Sequence, residues 1–145
     1  MEHLAIMKKS WNLTNKILSG EKKIESRWYK NKYAPWDKIK NNETIYFKDS
    51  GNPATIKAQV DKVLQFDNLN PEKVKKILHD YGLIDGIEKD NLKKFYERFK
   101  DKNYCMLIFL KNVKKIKPFN INKKGFGLMS AWITLDKISK IKINL

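Results

Sequence analysis

The chain has 145 residues and a mass of 17.2 kDa, enough to bury one hydrophobic core but hardly two, so we expect a single domain over residues 1–145. Hydrophobic residues make up 41% of it, and 31 basic against 16 acidic residues give a net charge of +15, which argues against positively charged partners and favours nucleic acid or another polyanion. One cysteine excludes an internal disulfide, and the sequence has neither an apolar run of membrane-spanning length nor metal-binding side chains at zinc-site spacing.

These exclusions predict a cytoplasmic protein with no membrane partner, no metal site and no cofactor. The basic charge itself has two possible origins. Lysine supplies 29 of the 31 basic residues, as an AT-rich coding sequence would also produce, and only Arg27 and Arg98 are arginine. However, residues 101–145 carry ten basic and two acidic residues, and a background bias would not concentrate the excess in one third of the chain.

The first part of the chain predicts a strand, a helix and a second strand. The apolar run His3–Met7 favours a buried strand. In the helix that follows, Ser10 or Asn12 can cap the first amides, and Gly20 stands where a left-handed residue would end it. Ile24–Tyr29 is rich in β-branched and aromatic residues and is expected to be extended.

A β-hairpin is predicted next. Thr44–Lys48 and Thr55–Phe66 have strand propensity, and the turn Ser50–Pro53 joins them. Apolar and polar residues alternate along the second strand until Val63 and Leu64, where two adjacent apolar side chains predict a β-bulge.

Two helices are predicted between residues 71 and 100. Asn70 is placed to cap the first of them and Pro71 occupies its first position, while Asp90–Lys100 repeats apolar residues at helical spacing. Because the net charge of this segment is low, we expect it not to face a polyanion.

The remaining chain predicts further strands. Tyr104–Leu110 is an uninterrupted apolar run typical of a central strand, and Ala131–Leu135 and Ile138–Ile143 are expected to close the sheet. Strands and helices that do not alternate regularly indicate an α+β fold, a small mixed β-barrel with flanking helices, rather than a doubly wound sheet.

One segment carries a family resemblance. Residues 20–27, Gly-Glu-Lys-Lys-Ile-Glu-Ser-Arg, fit the pattern G-x-K-x-x-E-x-R and resemble the signature of the ASCH family, a PUA-like β-barrel group. The similarity extends over residues 3–66 and 104–117, which makes 71–100 a helical insert in one ASCH-like domain. The resemblance implies a cleft beside the motif and RNA binding or RNA-linked activity, with nuclease or modified-nucleoside amidohydrolase activity in some members. The hydrolase branch has a threonine nucleophile at the position of Glu25.

Three interpretations of the charged motif residues are open. If the strand begins at Lys23, then Glu25, Arg27 and Tyr29 share one face, and Lys22 joins them only from the preceding turn. Glu25 and Arg27 could be a structural ion pair; Lys22 and Arg27 could hold phosphates or a base edge while Glu25 orients the guanidinium. In an enzyme, Lys22 would lose its proton near neutral pH and activate a nucleophile, with Glu25 as its catalytic partner.

Other side chains are candidates by position. Tyr29 is preferred over Trp28 for stacking on a base, Trp132 is ambiguous, and Lys48 and Ser50 at the hairpin tip are expected to face the same cleft. The lysine-rich stretch 111–124 resembles loops that follow a nucleic-acid backbone. The full set of ligand or nucleic-acid-binding candidates is Lys22, Glu25, Arg27, Tyr29, Lys48, Ser50, Lys114, Lys115, Lys117, Lys123, Lys124 and Trp132.

The sequence therefore predicts a PUA-like module that binds RNA or a nucleotide-like ligand in the cleft of the G-x-K-x-x-E-x-R motif. Two alternatives stay open. The first is a hydrolase acting on RNA or a modified nucleoside, either a ribonuclease or an amidohydrolase. The second is a protein-interaction module whose basic charge is compositional.

Overall fold

The computed structural model of the protein describes residues 1–127 and 130–143. In this part of the chain three α-helices and seven strands alternate irregularly, joined by loops and short 3-10 turns. The strands and helices are β1 (Glu2–Met7), α1 (Leu13–Ser19), β2 (Ile24–Tyr29), β3 (Thr44–Asp49), β4 (Ala54–Phe66), α2 (Pro71–Tyr81), α3 (Leu92–Phe99), β5 (Tyr104–Ile121), β6 (Trp132–Leu135) and β7 (Lys142–Ile143).

The strands form one curled mixed sheet in the order β2-β5-β4-β3-β1-β6, with β7 paired to the far end of β5. β1 and β3 are parallel, and the other pairs are antiparallel. The sheet makes a half-barrel flanked by the helices, so the predicted α+β fold with a mixed β-barrel and flanking helices is confirmed. No helix in residues 1–127 or 130–143 is long and apolar enough to cross a membrane.

Apolar side chains pack on both faces of this sheet. The concave face of the half-barrel is filled around Phe47, Val60 and Ile108, all fully buried. On the other side of β2 and β5, helices α2 and α3 cover a second cluster in which the rings of Trp28 and Phe99 stack with centroids 4.6 Å apart. β2 therefore lies between the barrel and the helices, and the motif is at their junction.

The turn before β2 depends on Gly20. Helix α1 ends at Ser19, and Gly20 follows with φ of 88°, the left-handed conformation that glycine adopts without a steric penalty. The predicted helix stop is confirmed. At the other end of α1, Asn12 also has a positive φ and its side chain does not cap the helix, so the predicted Asn12 cap is wrong. Asn70 does cap α2, through its side chain and the Lys73 amide.

Three sequence-based predictions of strands and bulges are corrected. β5 continues through Ile121, so the lysine-rich stretch from 111 onward is mostly a paired strand rather than a loop. The predicted strand Ile138–Ile143 is a 3-10 turn followed by the two-residue β7, because Ile138 and Ile141 both point into a third apolar cluster, which strand alternation does not allow. The β4–β5 register shifts between Val60 and Lys62, not at Val63 and Leu64.

Candidate functional site

A buried ionic cluster lies where α1 turns into β2. Lys22 pairs with Asp85 in an isolated backbone bridge, and its side chain is only 1% exposed. Lys22 Nζ donates to Asp85 Oδ1 at 2.5 Å and to the Asp85 carbonyl at 2.7 Å, and it lies 3.3 Å from Glu25 Oε1. Arg27 Nη2 donates to Glu25 Oε2 at 2.9 Å. The four side chains form a chain of alternating charge, so the predicted Glu25–Arg27 pair is confirmed.

The cluster keeps Lys22 protonated. Burial alone would favour the neutral amine, but the carboxylates of Asp85 and Glu25 outweigh it and raise the pKa of Lys22 above its ordinary value. This environment does not favour the alternative in which Lys22 loses its proton near neutral pH. A second cation beside the amine would favour that loss, and the structure places two carboxylates there instead.

Ser26 ties the cluster to the helical side of β2. Its hydroxyl donates to Asp85 Oδ2 and accepts a hydrogen bond from Trp28 Nε1 at 3.1 Å. Asp85 thus joins Lys22 and Ser26 through its two carboxylate oxygens. Burial raises the pKa of the Asp85 carboxyl, and the Lys22 ammonium opposes this effect.

A cleft of about 510 Å³ opens over this cluster, between the sheet and the insert. One side, which we call the sheet wall, includes Ile6, Arg27, Tyr29, Ser50, Lys123 and Ser130. The opposite side, which we call the helical wall, includes Trp11, Asp85, Phe95, Arg98, Phe99 and Lys102. Both arginines of the chain line this cleft, one on each wall.

Arg27 is held in place on the sheet wall. Its guanidinium carbon lies 5.1 Å from the ring centroid of Trp132, and Nη1 donates to the Ala131 carbonyl at 3.3 Å. Trp132 is itself fixed, because its Nε1 donates to His3 Nδ1 at 3.1 Å. Together with Glu25, these contacts restrict the guanidinium plane before any ligand arrives.

Arg98 occupies a similar position on the helical wall. Its guanidinium carbon lies 4.7 Å from the ring centroid of Trp11, and the Lys8 ammonium lies 5.0 Å from the same ring. The rings of Trp11 and Phe95 pack in a T-shaped arrangement with centroids 5.3 Å apart. Each arginine of the cleft therefore has an indole beneath it.

The cleft brings together only part of the predicted site. Among the described residues, six of the twelve predicted binding residues line it: Lys22, Glu25, Arg27, Tyr29, Ser50 and Lys123. Tyr29 is packed against the barrel core and its hydroxyl donates to the Ala34 carbonyl. Trp132 is buried and reaches the cleft only through Arg27.

The other predicted lysines lie elsewhere. Lys114, Lys115 and Lys117 are exposed on β5, outside the cleft, because the segment pairs with β4 instead of looping over the motif. Lys124 is exposed in the turn after β5 and is also absent from the described lining. Lys48 shares the face of β3 that carries Tyr46, away from the barrel interior, and burial together with the nearby Lys123 lowers its pKa.

Sequence reasoning missed the residues of the helical wall. Asp85, Phe95 and Arg98 belong to the segment 71–100, which the sequence analysis expected not to face a polyanion, and all three line the cleft. Arg98 carried one usable signal. It is one of only two arginines in a chain with 29 lysines, and the other lies in the motif.

Comparisons with known proteins bear on the fold. No protein-family model and no curated protein matches the sequence. Among solved structures, the ASCH protein of Zymomonas mobilis is similar with a TM-score of 0.66 and 17% identity, covering 94% of this chain and 88% of that one. A serine-to-alanine mutant of the same protein is similar with a TM-score of 0.68 and 16% identity. This match covers 96% of this chain and 91% of the mutant's chain. At this identity the similarity shows the fold: the ASCH-type fold that the sequence predicted is confirmed, while the G-x-K-x-x-E-x-R motif at residues 20–27 stays a prediction.

Proposed function

We propose that the protein is an RNA-binding module of the ASCH fold and that its ligand enters the cleft between the sheet wall and the helical wall. One observation carries this proposal: the only two arginines of a lysine-rich chain line the same cleft. A coding bias towards lysine explains surface lysines, but it gives no reason for both guanidinium groups to converge on one site. Planar guanidinium groups bind phosphates and base edges through two parallel hydrogen bonds, which lysine cannot do.

The charge of the lining supports a polyanionic ligand. Six cations of the described chain line the cleft, against two carboxylates. The carboxylates, Glu25 and Asp85, are already engaged by Lys22 and Arg27. The positive charge of Lys8, Arg98 and Lys102 can therefore bind phosphates, in a cleft that also holds aromatic rings on which bases can stack.

The motif residues have different roles in this proposal. Lys22 neutralises Asp85 and Glu25 beneath the cleft, and its ammonium is saturated by contacts within the protein. Arg27 is the ligand contact of the motif, with Glu25 and Trp132 fixing the plane of its guanidinium. The ASCH fold adds support, because the resemblance at residues 20–27 implies RNA-linked activity.

Binding of a labelled single-stranded RNA oligonucleotide tests the proposal. Arg27→Ala is expected to weaken binding about tenfold or more, since a charge-assisted hydrogen bond to a charged group contributes about 1.5–3 kcal/mol. Arg27→Lys keeps the charge but not the planar fork and should restore only part of the affinity. Lys114→Ala is the matched control, because Lys114 is exposed on β5 outside the cleft. Equal losses for Arg27→Ala and Lys114→Ala would contradict a specific cleft.

The hydrolase alternative makes a different prediction. A Lys22 that stays protonated is a poor general base, so we expect no RNA cleavage or nucleoside deacylation that depends on Lys22 as a base. Incubation of the protein with single-stranded RNA and with acylated nucleosides, followed by product analysis, checks this expectation. Turnover whose rate rises with pH near neutrality and disappears in folded Lys22→Met would favour the hydrolase.

A further inference from the structure

The helical wall carries a second cationic group that is separate from Arg27. Trp11, in the 3-10 turn before α1, is partly exposed and lies under both Lys8 and Arg98. Phe95 of α3 packs against the Trp11 ring in a T-shaped arrangement. The Arg27 group, in contrast, is built from β2 and β6. The two groups thus belong to different elements on different sides of the cleft.

The cations over Trp11 have no acidic partner within the described chain. The side chains of Lys8 and Arg98 form neither an ion pair nor a hydrogen bond with any residue in 1–127 or 130–143. Elsewhere on the surface, Lys76 pairs with Asp80 at 2.9 Å and Lys100 pairs with Glu97 at 2.8 Å. The described chain therefore supplies no counter-ion for either cation, and a bound anion would supply one.

We infer that the helical wall is a second nucleotide subsite, with a base stacking on the Arg98–Trp11 pair and Lys8 and Arg98 binding its phosphate, so that the cleft holds at least two consecutive nucleotides of a single strand. This inference rests on the proposed function. It follows from the pairing of an arginine and an indole on each wall, because each pair offers one phosphate contact and one aromatic surface. It gives the insert a role in ligand recognition.

A single strand fits this arrangement better than a duplex. Stacking on Trp11 requires a base whose face is free, and bases in a duplex are stacked on their neighbours. A free nucleoside would use the aromatic surface but would leave the cations of both walls without a partner. The ligand class is therefore an unpaired RNA segment that keeps its phosphates.

The test measures how much affinity the second nucleotide adds. Uridine oligonucleotides of increasing length from one nucleotide, each with a 5′ phosphate, are titrated by calorimetry into wild type, Trp11→Ala, Arg98→Ala and Lys93→Ala. In the wild type we expect the second nucleotide to increase affinity about tenfold, the fold-change that corresponds to one base stack. In Trp11→Ala the second nucleotide should add little affinity. In Arg98→Ala it should add about half as much as in the wild type, measured as the logarithm of the affinity. Both variants should bind one nucleotide as tightly as the wild type does. Lys93→Ala, an exposed lysine of the same helix outside the cleft, should keep the full gain.

The outcomes separate this inference from the proposed function. If one nucleotide binds in an Arg27-dependent way but the gain is absent in the wild type or persists in Arg98→Ala, the second subsite is overturned and the proposed function stands. If the wild type binds neither mononucleotide nor oligonucleotide, both are overturned. Arg98 is exposed, so Arg98→Ala remains informative even if Trp11→Ala does not fold.

Discussion

Lys22 is a charged residue whose surroundings determine its role. It is buried between two carboxylates, and its ammonium makes three short contacts within the protein. A buried charge is tolerated only when it is paired and hydrogen-bonded, and removing one partner leaves the others without compensation. The motif lysine is thus primarily a structural cation that holds the insert and β2 together.

Replacement of Lys22 should therefore destabilise the fold strongly. Lys22→Ala leaves Asp85 and Glu25 with one counter-charge fewer, and we expect the free energy of unfolding to fall by about 3–5 kcal/mol. The measurement is urea denaturation followed by tryptophan fluorescence. The neighbouring Lys23 is exposed, so Lys23→Ala is the matched control and should change stability by no more than about 0.5 kcal/mol. Similar effects of the two substitutions would show that the cluster contributes little.

His3 should make stability depend on pH. Its side chain is buried. Nδ1 accepts a hydrogen bond from Trp132, because the indole Nε1 can only donate. The proton of the neutral ring is therefore on Nε2, which donates to Glu43 at 2.9 Å. Burial lowers the pKa of His3 below its ordinary 6.5, although Glu43 opposes this, so the unfolded chain binds a proton that the folded chain does not. Stability is consequently full above about pH 6.5 and decreases as the pH falls below it.

Urea midpoints measured between about pH 7.5 and pH 5 check this pH dependence. The wild type should lose stability progressively on acidification through this range. His79, which is exposed on α2, serves as the control, and His79→Gln should keep the wild-type profile. Two results would contradict the assignment of a neutral His3: a wild-type stability that does not change with pH, or a pH dependence that disappears in His79→Gln.

The helical insert is joined to the motif by backbone as well as by charge. The amides of Lys23 and Ile24 both donate to the Ile84 carbonyl, and Lys16 Nζ donates to the Gly86 carbonyl at 2.9 Å. Gly86 has φ of 82°, and a Cβ there would meet the Lys22 Cβ at 3.1 Å. The insert thus packs closely against the aliphatic part of Lys22.

Gly86→Ala tests this docking. Gly51 is a matched reference, because its φ is 81° and a Cβ there would meet nothing within 4 Å. Both alanines incur the left-handed penalty of about 1–2 kcal/mol, but Gly86→Ala should cost more because it also displaces Lys22. Thermal denaturation of the two variants gives the difference. Equal losses would mean that the insert tolerates a shift away from the motif.

The insert also marks the limit of what the sequence could predict at this scale. Capping and periodicity predicted α2 and α3, because these signals act over a few residues. The partner of Lys22 could not be found in this way, since Asp85 lies 63 positions away and is aligned only by the packing of the insert on β2. The lysines at 114–117 were placed wrongly for a related reason: pairing with β4 extends β5 well beyond its apolar part.

At the scale of the whole molecule, the fold was predictable and the site only in part. Local patterns gave most strands and helices, and the motif at residues 20–27 located one wall of the cleft. The opposite wall depends on tertiary contacts such as the stacking of Trp28 on Phe99, for which the sequence carries no local signal. The outcome is a half-barrel whose basic cleft is shared between the motif at residues 20–27 and the helical segment 71–100.

The central claim is that RNA occupies this cleft, and the four tryptophans provide a direct test by NMR of their indole N–H signals. Trp11 and Trp28 line the cleft and Trp132 lies beneath Arg27, whereas Trp36 packs against Tyr104 and is not part of the described lining. On titration with a short single-stranded RNA, we predict that the signals of Trp11, Trp28 and Trp132 shift and saturate together while that of Trp36 stays in place. Binding that shifts Trp36 as much as the others, or that leaves the three cleft signals unchanged, would contradict the account.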